Sequence, residues 1–191
     1  MDINPALPQL LYMDNSLIVV SKPYNLSSAA GLTEDEQDCL ISRLQDDFPT
    51  VQLVQAMDFA CSGVMVLALT NTGQQALAAQ FAQQQIEHRY QAWVSGIVEQ
   101  DSGVIGQPPQ TRWQVLERDE SSSRLALTPL CQHYSLREGL RTLGHPILGE
   151  ETAADPHINT PVERLQLHAQ RLSFKHPNTG ITLSFESPCP F

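Results

Sequence analysis

Lysine is almost missing from this sequence. Lys22 and Lys175 are the only two, and the eleven lysines and arginines together face twenty-one aspartates and glutamates, for a formal net charge of −10. That balance repels a polyanion on average, so composition alone argues against a nucleic-acid partner. Any surface that meets phosphate must therefore be built mainly from arginines and backbone amides. Long apolar runs are missing too. The longest, Gly63 to Leu69, is far too short to cross a bilayer, and Met1-Asp2-Ile3-Asn4-Pro5 lacks the basic-then-apolar pattern of a signal peptide. A soluble, cytoplasmic protein with no membrane partner is expected. The four cysteines, Cys39, Cys61, Cys131 and Cys189, form no C-x-x-C pair. Neither a zinc ribbon nor a disulfide framework fits them, and reduced thiols are expected. The six histidines are scattered without ligand spacing, so no metal site is expected.

What is present is ordinary globular composition, 41% hydrophobic and 17% charged. Residues 1–191 are expected to form a single domain. Leu17-Ile18-Val19-Val20 is a β-branched run closed by Ser21-Lys22-Pro23, where proline ends the ladder. Cys39 to Leu44 has helical spacing. Gly63 to Leu69 is a short apolar run before the turn-prone Asn71-Thr72-Gly73, and so a buried strand. Gln74 to Glu87, rich in Ala and Gln, is expected to be an amphipathic helix, and Tyr90 to Val94 a strand. Thr111–Glu117 and Arg124–Thr128 flank a polar connector and predict a hairpin. Ser135 to Leu143 reads as a helix capped by Gly144, and Leu165 to Phe185 closes the chain with a second hairpin through His176-Pro177-Asn178-Thr179-Gly180. The sum is an α+β protein with a largely antiparallel sheet.

Five blocks, in this order, resemble the RluA-type RNA pseudouridine synthases. They are Leu11-Tyr12 through Lys22-Pro23; Asp58 with Ser62-Gly63; His88-Arg89-Tyr90; Leu136-Arg137 with Leu143-Gly144-His145-Pro146-Ile147-Leu148-Gly149; and Arg164 to Ala169 with His176-Pro177, Thr179-Gly180 and Pro188. The resemblance spans nearly the whole chain, and the separate N-terminal RNA-binding (S4) module of many relatives is not expected. It implies a pseudouridine-synthase-like fold: a mainly antiparallel mixed sheet with flanking helices and a central cleft.

It also implies isomerisation of a uridine already in rRNA or tRNA, by a monomer that needs no cofactor. Asp58 would be the catalytic aspartate, acting as nucleophile or base. Tyr90 would stack on the uracil, and Arg137 would be the charge partner of Asp58. Lys22, Arg43, Arg89 and Arg141 are the expected RNA-binding residues, gathered with Arg137 near the cleft. On their own, without the resemblance, an aspartate before an apolar strand is a capping residue, a tyrosine at a strand start is core, and a helical arginine is a surface ion-pair partner. Cys61 beside Ser62 has no G-x-S-x-G elbow and reads as core.

The motif departs from the family at the RNA surface. Where the family reads His-Arg-Leu-Asp, this chain reads Gln55-Ala56-Met57-Asp58, and the family's Thr-Gly-Arg is replaced by Cys131-Gln132. Gly139 stands where a histidine is common. A second hypothesis is therefore a catalytically impaired relative that serves as an RNA- or protein-binding protein. The segments Ser28–Asp38 and Glu150–Pro161 are expected to be mobile rims of the cleft.

Overall fold

The structure, a computed structural model, describes residues 7–33, 37–106, 108, 110–131, 135–150 and 162–191. Within them β2 (Leu17–Lys22) and β4 (Ser62–Ala68) form the first half of the core, paired antiparallel from Leu17↔Ala68 to Lys22↔Gly63. Their apolar runs are continuous because both faces are covered. Leu17, Val19, Val64, Val66 and Ala68 pack with Leu77 and Phe81 of α2 (Asn71–Ala82). The alternate residues Ile18, Val20, Met65 and Leu67 pack with Leu40 and Leu44 of α1 (Leu40–Gln45). β1 (Gln9–Met13) and β3 (Gln52–Leu53) pair at the margins of β2 and β4.

The second half is the antiparallel series β5 (Glu87–Ser95), β8 (Ser122–Pro129), β7 (Thr111–Arg118) and β6 (Ser102–Ile105). Ala92, Val94, Leu125, Leu127 and Trp113 point to one side, where Leu140 of α3 (Leu136–Thr142) covers them. The seam is β9 (Leu167–Lys175), which runs parallel to β4 at Ser62↔His168 and Gly63↔Ala169, antiparallel to β5, and on into β10 (Thr182–Glu186). At that seam Gly63 has φ +121°, and a Cβ there would strike the Ala169 backbone. Only glycine lets the two halves approach so closely.

The expected α+β class and mainly antiparallel sheet describe this architecture. Boundaries moved for local reasons. The helix expected from Gln74 begins at Asn71, because Thr70 is its N-cap and accepts from the Gly73 amide at 3.1 Å. It ends before Gln84, whose φ is 56°, so Glu87 belongs to β5. β3 and β6 gave no pattern to read, being two and four residues long. Among the described residues no helix is long and apolar enough to cross a membrane.

Candidate active site

Asp58 sits in the loop that feeds β4. Its Oδ1 accepts from the Ala60 amide at 2.9 Å, and its carbonyl accepts from the Cys61 amide at 3.1 Å, which makes a tight turn into the buried strand. Two buried side chains hold this loop from beneath. Ser28 Oγ donates to the Met57 carbonyl and accepts from the Met57 amide, both at 2.9 Å. Lys22, 1% exposed, donates from Nζ to the carbonyls of Pro23 (2.9 Å), Leu26 (2.8 Å) and, more weakly, Phe59 (3.4 Å). Burial pulls the Lys22 ammonium down to about 8, while the nearby Cys61 and Asp58 act in the opposite direction.

Across the cleft, Ser135 caps α3 by accepting from the Glu138 amide. Arg137 Nη1 donates to Asp58 Oδ2 at 2.8 Å, while its Nε donates to Glu150 Oε1 at 3.0 Å. Arg141, one turn along, reaches the same Glu150 oxygen at 2.8 Å. The Glu150 side chain is 4% exposed, whereas Asp58 and Arg137 are 41% and 31% exposed. One buried carboxylate thus fixes the guanidinium that meets a solvent-open one. Glu150 is placed by Gly149, whose φ of +78° and contact with the Arg164 backbone leave no room for a Cβ.

Tyr90 lies where the β5–β9 register shifts, between Arg89 and Tyr90. Its ring stacks on His88 with centroids 5.7 Å apart and planes at 18°, and His88 in turn meets Phe81. Burial pushes the His88 imidazole down to about 4, so it is neutral at pH 7. Burial, followed by the influence of Cys61, raises the Tyr90 phenol, which also stays neutral. Burial likewise pushes the Cys61 thiol up to about 12, which leaves no thiolate to act as a nucleophile. Met57, Tyr90 and Leu136 all pack on the same core cluster. The residues next to Asp58 and Arg137 in sequence are thereby anchored beside Tyr90. A groove of about 430 Å³ adjoins the tyrosine, lined in part by Gln55, His88, Leu136, Arg89 and Arg112. Among the described residues no cluster of three His, Cys, Asp or Glu could hold a metal.

The family model described as RNA pseudouridylate synthase matches residues 16–139. The chain belongs to the RNA pseudouridylate synthase family. The family is one of RNA-modifying isomerases. The chain is 35% identical to the dual-specificity RNA pseudouridine synthase RluA of Yersinia pestis, over 95% of this chain and 99% of that one. It is 32% identical to the protein of the same description from Escherichia coli K12, over 95% and 93%. The fold is similar to the solved human RNA pseudouridylate synthase domain containing 1, with a TM-score of 0.76 at 22% identity, covering 96% of this chain and 84% of that one.

Set beside this membership, the expected RNA-contacting residues separate. Lys22 is enclosed and caps carbonyls, so the expectation that it meets RNA is corrected. Its charge suggested the surface, but the end of β2 turns it under the Asp58 loop. Arg43 is held by Asp38 through two bonds of 2.6 Å, and Arg141 by Glu150. Arg89 is exposed on the groove. The rim expected from Ser28 starts at a buried residue that clamps Met57, and the rim expected from Glu150 starts at a carboxylate that is itself enclosed and ion-paired to two half-exposed arginines. Residues 34–36 and 151–161 lie outside the described residues, as does Gln132. Glu150 and Ser28 were not singled out from sequence as site residues. A signal for Glu150 existed: Arg137 and Arg141 share a helix face at four-residue spacing and call for an acid between them.

Proposed function

We propose that the chain isomerises uridine to pseudouridine within rRNA or tRNA, acting as a cytoplasmic monomer, with Asp58 as the catalytic carboxylate. The reaction breaks the bond from C1′ to N1, turns the uracil and joins C1′ to C5. The C5 proton leaves and N1 gains one, so atoms and oxidation state balance without a cofactor. The observation that carries this reading is the 2.8 Å contact between Arg137 and Asp58, 79 residues apart in sequence. The guanidinium compensates the carboxylate's charge and fixes its orientation, and Glu150 fixes the guanidinium. A uridine entering the cleft must leave its stack. The face of Tyr90, braced by His88, offers it a replacement stack typically worth about 1–3 kcal/mol. The relatives' names state a dual specificity for RNA, which supports testing more than one class of RNA.

The experiment is incubation of the purified protein with unmodified ribosomal and transfer RNA, followed by chemical mapping of pseudouridine, in parallel with Asp58→Asn. Wild type should yield pseudouridine at discrete sites and the variant none. Absence of product with wild type on every pool would remove the enzyme reading and leave the impaired binding protein, which the Gln55-Ala56 sequence favours.

A further inference from the structure

Arg89 and Arg171 sit directly opposite each other on β5 and β9. Like charges in that position destabilise a sheet unless an anion lies between them. The register continues the row. Tyr90 pairs with Leu127, which by extension sets Arg89 against Thr128, and Thr128 pairs with Arg112 on β7. Arg171, Arg89, Thr128 and Arg112 therefore run across four neighbouring strands, a span of about 14 Å at ~4.8 Å per strand. All four line the groove beside Tyr90.

The chain has carboxylates in excess, and its other arginines use them. Arg43, Arg118, Arg124, Arg137 and Arg141 all meet an aspartate or glutamate, and Arg164 lies over the rings of Tyr24 and Phe191. Among the described residues Arg89 and Arg112 have neither a carboxylate nor a ring partner. Arg171 bonds to Ser184 at 2.9 Å and meets Glu186 at 3.9 Å, the separation of the Arg124–Glu117 pair, so it is partly compensated. Among the described residues Glu87 is the one acid lining the groove, beside three arginines. A protein with a net charge of −10 has thus placed Arg89 and Arg112, the two arginines without a carboxylate or ring partner among the described residues, in one trough with Arg171.

We infer that the transverse row Arg171–Arg89–Arg112 is a phosphate track that grips the RNA strand flanking the nucleotide presented to Tyr90. This rests on the synthase reading and supplies its missing grip. Backbone contact by guanidinium groups positions a strand without reading sequence. The row is long enough to meet more than one phosphate, and the local charge offsets the repulsion of the whole molecule.

The test is binding of a fluorescent uridine-containing RNA stem-loop across a salt series, comparing wild type, the triple variant R89Q/R112Q/R171Q, and R118Q on the distant β7–β8 hairpin. Loss of three phosphate contacts should make the slope of log K against log salt shallower by about 2 in the triple variant, at roughly 0.7 per contact on a single strand. R118Q should leave the slope unchanged. The melting temperature of the triple variant should hold or rise, because the cross-strand repulsion is relieved. An unchanged slope in the triple variant, or an equal loss in R118Q, overturns the track while wild-type conversion of uridine leaves the synthase reading intact. Wild type that neither binds nor modifies RNA overturns both.

Discussion

The two halves of the sheet handle their faces differently. β2 and β4 are buried on both sides, between α1 and α2, and nearly every residue is core. β7 alternates, with Thr111 and Trp113 inside and Arg112 and Gln114 outside, because α3 covers only one side of that half. The first half is a clamp. It holds the ends of β2 and β4 so firmly that Lys22 and Ser28 can set the Asp58 loop from below. The second half leaves a sheet surface open, and there lie Arg89 and Arg112, which have no carboxylate partner among the described residues. The candidate site lies where the rigid half meets the open one.

This contrast can be broken most sharply in the core. Leu67→Ala on β4, fully buried, should cost about 3 kcal/mol of unfolding free energy in urea titrations. Leu116→Ala on β7, 48% exposed, should stay within about 0.5 kcal/mol. Equal losses would mean that the halves do not differ in packing.

At the junction, Glu150→Gln removes the charge that orients Arg137. A roughly tenfold fall in kcat with little change in KM is expected, equivalent to about 1.4 kcal/mol of transition-state stabilisation, with partial recovery in Glu150→Asp. A change confined to KM would instead assign Glu150 to binding the RNA.

The smallest effect concerns His88. Its imidazole is held near 4 in the folded chain against an ordinary 6.5, so the unfolded chain binds more protons between those values. The stability from keeping His88 neutral is complete above pH 6.5 and is lost as the pH falls towards 4. Wild type should therefore weaken relative to His88→Phe over that window and run parallel to it above. Parallel curves throughout would show that His88 is not desolvated beside Tyr90.

Much of the scaffold was legible because burial writes a pattern. The runs at Leu17 and Gly63 announced strands covered on both faces, and the polar connector around Ser121 announced the β7–β8 hairpin. Asp58, Tyr90 and Arg137 could be named together only through collinear family blocks, since spacing does not reveal that residues 79 apart will touch. Two things stayed hidden. A lysine in a sequence poor in lysine reads as surface charge, and nothing local shows that three carbonyls wait for it. The arginine row arises from register between strands distant in sequence, which no single segment encodes.

Lys22 offers one further use. The chain's other lysine, Lys175, is exposed at the end of β9 and will react with amine-directed reagents in the native protein. Lys22 is sealed beneath the Asp58 loop, so its rate of labelling, followed by peptide mass, measures how often that loop lifts away from β2. With so few amines to confuse the signal, the near-absence of lysine gives the molecule a built-in reporter of its own breathing.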